Sequence, residues 1–329
     1  MRFSQISDAK DLISFLERRS LEHPFLYHYT TFDILKCICR FKNWRFGNAR
    51  NMNDMHEYEV KGHPLGILDN LYSACFSYGD EDNVAMWSMY GIPWEDAIRI
   101  RIPIKTIRNW IDNIDGKEIL AYEKYHGTKK KFNADTSNDK HKFSVRDICY
   151  MEGYVTSPRN MSDCPIGLNE CQDTCVKCPP KRILWWSQSN KHFDIAIDKQ
   201  EGNVKSELLG YVKNSAWHHE METRMVFSIT PENITSPYEY LHIPIPDDMI
   251  SEMQVSLGPR STLNTKNVKQ ELAEILYGDP GKYTYLNNVS ESYYKQRDLL
   301  RHLKRHCDCN HQCIVSFKNS AKESEESNE

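Results

Sequence analysis

Apolar positions in this chain follow two spacings, one close to a helical turn and one of two residues, and the change from one to the other marks the elements. Leu12, Phe15 and Leu16 form one stripe, with Ser7 placed to cap the helix and His23-Pro24 to stop it. Phe25-Leu26-Tyr27-His28-Tyr29-Thr30 is rich in β-formers and predicts a strand, after which Thr31 opens a helix with Leu35, Ile38 and Cys39 inward. Ser73 to Tyr78 predicts a second strand, and Asp80-Glu81-Asp82 begins a helix carrying Val84, Trp87 and Tyr90 that ends at Gly91. Ala97-Ile98-Arg99-Ile100-Arg101-Ile102 alternates strictly, which gives one apolar and one basic face. Further strands are predicted at Arg146–Met151, Glu222–Ser228, Tyr240–Ile243 and Met253–Gly258. Thr265 begins a helix with Val268, Leu272, Ile275 and Leu276 on one side, stopped by Gly278 and Pro280, and a last helix carries Tyr293, Leu299, Leu300 and Leu303.

This order of elements predicts an α+β fold with a mixed or antiparallel sheet and flanking helices. Residues 1–121 and 201–288 form the two parts of the core. Between them the pattern weakens, so 122–200 reads as an irregular, cysteine-rich insertion; 289–319 reads as a C-terminal helix with a Cys/His patch, and 320–329 as a disordered acidic tail. With 40% hydrophobic residues among 329, the chain can bury a sizeable core. A net charge of −4, from 42 Lys+Arg against 46 Asp+Glu, excludes a global basic field and leaves room only for a local basic patch. The start has no continuous apolar run of a signal peptide, and no window approaches the ~18 apolar residues of a membrane span, so a cytoplasmic protein without membrane partners is expected.

Eleven cysteines sharpen this expectation. Cys37, Cys39 and Cys75 fall in apolar elements and read as buried small hydrophobes. Cys164, Cys171, Cys175 and Cys178 are spaced C-x6-C-x3-C-x2-C in a polar stretch, a donor set that suits tetrahedral zinc; the Cys171, Cys175, Cys178 run also resembles iron–sulfur ligation. Cys307, Cys309 and Cys313, with His302, His306 and His311, make a second candidate patch.

Five pieces in order resemble a bacterial group known as domain-of-unknown-function family 2971. They are Tyr27-His28-Tyr29-Thr30, Asn53-Asp54-Met55-His56-Glu57, Cys75-Phe76-Ser77 leading to Met86-Trp87-Ser88-Met89-Tyr90, Lys213 with Trp217 to Arg224, and Leu257-Gly258-Pro259-Arg260. Three of them also resemble ADP-ribosyltransferase elements. Tyr27-His28-Tyr29-Thr30 is similar to the Tyr-His-Gly-Thr strand that grips NAD, with Tyr29 in place of Gly. Ser77 and the helix bearing Trp87 and Tyr90 are similar to the central strand whose neighbouring aromatic stacks on nicotinamide. Glu220-Met221-Glu222 is similar to the Glu-x-Glu element, with both carboxylates expected on one strand face.

The resemblance implies NAD as substrate, with His28, Tyr29, Thr30, Ser77, Trp87 and Tyr90 binding it. It further implies Glu222 beside the ribose 2′-hydroxyl, Glu220 directed at an unknown macromolecular acceptor, protein or nucleic acid, and a phage-defence or toxin setting. Beside it stands a reading without NAD chemistry, a recognition or nuclease-associated module in which Asp54, His56, Glu57 and the cysteine cluster bind metal or nucleic acid. On residue types alone, His28 also fits a hydrogen-bonded core histidine, and Glu220/Glu222 an exposed strand ladder.

Overall fold

A computed structural model of the chain describes residues 8–51, 69–79, 82–123, 129–137, 140–151, 208, 210–229, 238–286 and 288–292. The Asn53–Glu57 piece, both cysteine clusters, the helix expected from Tyr293 onward and the acidic tail lie outside these residues. Among the described residues no helix is long and apolar enough to cross a membrane, and no group of three or more His, Cys, Asp or Glu is placed to hold a metal ion.

The architecture is α+β, built on one mostly antiparallel sheet. In chain order the strands are β1 (Phe25–Thr31), β2 (Asn43–Asn48), β3 (Leu71–Ser77), β4 (Ala97–Pro103), β5 (Glu118–Glu123), β6 (Lys129–Asn133), β7 (His141–Asp147), β8 (Cys149–Met151), β9 (Val212–Asn214), β10 (Glu222–Ile229), β11 (Tyr238–Pro244), β12 (Gln254–Leu257) and β13 (Val289–Glu291). The helices are α1 (Ala9–Ser20), α2 (Phe32–Phe41), α3 (Val84–Tyr90), α4 (Ile104–Asp112), α5 (Asp247–Glu252) and α6 (Thr265–Tyr277). The main sheet runs β13-β12-β4-β1-β3-β2-β11-β5-β6, with β10 joined to β3 and β7 to β10, while β8 and β9 form a separate parallel pair.

Alternation in the strands decides where the core lies. Ile98, Ile100 and Ile102 are fully buried on one face of β4 and join Leu26, Trp44, Phe46, Phe76, Phe227 and Leu241, together with Val268 and Leu272 of α6. On the other face of β1, Tyr27 and Tyr29 pack with Met86 and Trp87 of α3 and with Ala97 in a smaller cluster.

Several helix starts differ from the sequence reading because side-chain oxygens select them. Asp8 rather than Ser7 caps α1, accepting from Asp11 N at 2.8 Å. Asn83, rather than the preceding acidic run, caps α3 by accepting from Ala85 N and Met86 N, and Asn264 caps α6. Cys37 is exposed, since its position on α2 turns away from the stripe of Leu35, Ile38 and Cys39. The weakly patterned stretch from residue 122 is, where described, more regular than expected, and the strand leading into it, β5, was not expected at all. β5, β6 and β7 belong to the main sheet, and β7 lies between β10 and α1, where Arg146 Nε donates to Glu17 Oε1 at 2.8 Å.

One junction in the sheet positions everything that follows. Strand β3 gives one whole edge to β10, from Leu71↔Ser228 to Ser77↔Glu222. Its other edge is shared: Tyr72 and Ser73 pair with β2, and Ser77 alone pairs with β1, opposite Tyr27. Between these pairings the sheet forks.

Candidate active site

A cavity of about 210 Å³ occupies the fork. Tyr27, His28 and Tyr29 of β1 and Cys75, Phe76 and Ser77 of β3 form its walls, and Tyr90, Lys213, Glu220, Glu222 and Arg224 line it as well. At the fork the Cys75 carbonyl is met by a side chain instead of a ladder amide: His28 Nδ1 lies 2.9 Å from it. A carbonyl only accepts, so Nδ1 carries the hydrogen and Nε2 is left as an acceptor. Burial lowers the His28 pKa, only partly offset by that hydrogen bond, which keeps the ring neutral. The ring stands edge-on to Trp44, with centroids 5.1 Å apart.

The two carboxylates are brought together by a kink, not by strand alternation as the sequence suggested. Glu220 ends a 3-10 turn, Ser215–Glu220, while Glu222 begins β10. Met221 between them has φ +46°, in the left-handed region that costs a residue with a Cβ roughly 1–2 kcal/mol. Its carbonyl accepts from Tyr78 N at 2.8 Å, which fixes the kink against the end of β3.

Both carboxylates are buried, Glu220 2% and Glu222 3% exposed, which rules out the exposed ladder. They share one cation. Lys213 Nζ donates to Glu220 Oε2 at 2.5 Å and to Glu222 Oε2 at 3.2 Å. Arg224, 1% exposed, donates from Nε to Glu222 Oε1 at 2.6 Å and from Nη2 to Oε2 at 3.1 Å, while Nη1 holds the Gly210 carbonyl. This forked pairing locks Glu222 in place. The pair β8–β9 completes the frame, setting Lys213 opposite Tyr150, whose hydroxyl accepts the Glu222 amide at 2.7 Å.

The environments of the two acids pull them apart. Burial pushes the Glu222 carboxyl up, but Arg224 and Lys213 outweigh it and bring it to about 2, so Glu222 is a fixed anion. Burial, helped by the nearby Glu222 charge, raises Glu220 against the pull of Lys213. Tyr90 has its own pKa raised by burial and by Glu220, so its hydroxyl keeps its proton and donates to Glu220 Oε1 at 2.5 Å. Two carboxyls with opposite shifts in one cavity are suited to divide charge stabilisation from proton transfer.

No family model matches this chain. No curated protein matches it either. The likeness to family 2971 therefore stands on its motifs alone. Among solved structures, the chain is similar to Thermus sp. 2.9 DarT in complex with carba-NAD+, at 11% identity and TM-score 0.27, over 83% of this chain and 97% of that one. It is also similar to Thermus sp. 2.9 DarT in complex with NAD+, at 10% identity and TM-score 0.27, over 84% and 97%. A likeness of that degree carries no argument of its own, and the geometry of the cavity has to carry the chemistry.

Of the residues singled out in the sequence, His28, Tyr29, Ser77, Tyr90, Glu220 and Glu222 converge on the cavity. Two do not line it: Thr30 is buried farther along β1, and Trp87 packs edge-on to Tyr29 at 4.9 Å within the smaller cluster. Sequence reasoning placed Arg224, Lys213 and Cys75 in resembling segments, and read Cys75 as a buried small hydrophobe, but gave none of them a role in the site. Arg224 was open to it, since a residue two after Glu222 on a strand shares its face. The Cys75 thiol, whose pKa burial raises, makes a hydrogen bond with the Glu222 carboxylate.

Proposed function

We propose that this chain is an ADP-ribosyltransferase-like enzyme that uses NAD as its substrate. The observation that carries the reading is the convergence, in one cavity, of the three segments whose motifs resemble that class, although they lie up to about 190 residues apart in sequence. The cavity is smaller than the roughly 300–1,000 Å³ of a typical small-molecule cleft, which suits enclosure of one end of a dinucleotide. His28 Nε2 accepts from a ribose hydroxyl, and the Tyr29 and Tyr90 rings flank the nicotinamide end. As the bond from C1′ to the nicotinamide nitrogen breaks, its electron pair leaves with nicotinamide and positive charge grows on the ribose. The Glu222 anion, fixed by Arg224, stabilises that charge more than the ground state. The acceptor then bonds to C1′ and its proton passes to Glu220, whose raised pKa suits a base. The acceptor is a macromolecule or, in slow hydrolysis, water; the family resemblance extends the reading to a phage-defence or toxin effector.

The test measures nicotinamide release and transfer of labelled ADP-ribose, per folded molecule, for wild type, Glu222→Gln and Glu220→Gln. Glu222→Gln should lower both by about a hundredfold or more, the scale of a lost preorganised electrostatic contact. Glu220→Gln should reduce transfer while sparing slow release. Folded Glu222→Gln with full turnover would refute the proposal, and wild type without NAD turnover would favour a recognition module.

A further inference from the structure

The two arginines of β4 point away from the core and are held differently. Arg99 Nη1 lies 2.9 Å from Asp82 Oδ1. Arg101 lies over Phe25, its guanidinium carbon 3.4 Å from the ring centroid, and donates from Nη1 to Gln254 Oε1 at 2.8 Å. Among the described residues no carboxylate lies within ion-pair distance of Arg101, and its Nε is buried without a hydrogen-bond partner. A stack and an amide fix this guanidinium in orientation without neutralising it.

Around it lies a second cleft, of about 770 Å³. The registers lay out its floor in two rows, Tyr27–Arg101–Gln254 and Arg99–Ser256–Ser290, and Tyr277 lines it too. Among the described residues no carboxylate lines it, while hydroxyls, amides and two guanidinium groups do. Such a lining repels no anion and offers planar donors that match phosphate oxygens, and an aromatic ring at the side gives a sugar or base a face to stack on. Its volume falls in the range of small-molecule clefts. Tyr27 lines both this cleft and the cavity at the fork, so the two are neighbours across one side chain.

We propose that this cleft binds a phosphate ester of nucleotide size, either free or as one unit of a nucleic-acid strand. The assignment concerns binding and stands whether or not NAD is turned over in the neighbouring cavity. The test uses the full chain at low salt with two probes: AMP by calorimetry and a fluorescein-labelled single-stranded oligonucleotide by anisotropy. At least one should bind at one site per chain; AMP that displaces the strand identifies the free nucleotide as sufficient, and strand binding without AMP binding identifies the polymer. Arg101→Met should weaken the bound probe about tenfold or more and, for the strand, make the salt dependence shallower by about one charge. Ser290→Glu, at an exposed position of β13, should abolish binding by adding a negative charge to the floor, with the melting temperature showing that the variant folds. Arg45→Met, an exposed arginine over Tyr240 on another part of the sheet, should leave it unchanged. Failure of both probes to bind would overturn the assignment, as would equal loss in Arg45→Met. So would displacement by NAD together with a matching rise in KM for NAD in Arg101→Met, because the cleft would then serve the dinucleotide itself.

Discussion

The imidazole of His28 uses Nδ1–H to satisfy a carbonyl that the forked sheet leaves without a strand partner, and its other nitrogen has only a lone pair to offer. Truncation would therefore confuse two effects, since His28→Ala opens a hole beside Trp44 and orphans the Cys75 carbonyl, together costing about 2–4 kcal/mol. Glutamine keeps a donor. His28→Gln is expected to melt within a few degrees of wild type while raising KM for NAD about tenfold, checked by thermal denaturation and nicotinamide-release kinetics; unchanged KM would leave His28 a purely structural residue. The site was partly legible at this scale. Strand alternation could place His28, and residue type could nominate two carboxylates, but the burial of Glu220 and Glu222 against Lys213 and Arg224 depends on partners that adjoin them only in the fold. The left-handed turn at Met221 carries no Gly or Asn to announce it.

Helix α3 is seven residues long and depends on its cap. The Asn83 Oδ1 atom accepts two amides of the first turn, and Nδ2 donates to the His219 carbonyl at 2.5 Å, which ties the helix bearing Tyr90 to the turn bearing Glu220. Asn83→Ala should cost about 1–2 kcal/mol and lower the melting temperature by a few degrees, while Asn83→Asp, which keeps the acceptor, should recover part of that loss. Equal stability of all three would show the cap to be idle. Elements with strong periodicity were readable: β1, β3, β4, β10 and α6 lie within a residue or two of where their patterns put them. Most of those missed had no such pattern; α4 is the exception, for its Ile104, Ile107 and Trp110 stripe is helical and was open to a sequence reading. Lys129, Lys130 and Lys131 look like a solvated run and are in fact an edge strand, β6, where charge discourages pairing with another chain. In β2, Asn43-Trp44-Arg45-Phe46-Gly47-Asn48, only two apolar residues alternate, too few to stand out.

For the molecule as a whole, the buried charge cluster sets a dependence on acid. Glu222 is depressed from its ordinary value near 4.5 to about 2, so the stability it contributes is fully present above pH 4.5 and is lost as pH falls toward 2. Glu220 has the opposite sign: its pKa is raised, and its contribution is held at low pH and lost as pH rises through that raised value. In denaturant titrations between pH 4.5 and 2, Glu222→Gln should show a shallower loss of stability than wild type, by up to about 1.4 kcal/mol per pH unit, the linkage of one proton. Identical slopes would mean the carboxylate is not held as an anion. The α+β class followed from the order of elements. The branching of the sheet did not, because which strands pair is settled by the packing of distant segments and leaves no local mark.

The branch also divides the sheet mechanically. Strands β1 and β4 are joined along seven residues, and so are β3 and β10, but one residue pair, Tyr27 with Ser77, joins β1 to β3. Separating the ladder along this seam breaks a single rung, whose net worth is on the order of 1 kcal/mol, whereas separating β1 from β4 or β3 from β10 breaks seven residue pairs. The pairs β1–β4 and β3–β10 are therefore two stiff units with a compliant line between them. The cavity lies along that line, where the His28–Cys75 hydrogen bond is the other link, so widening it leaves both long ladders in register.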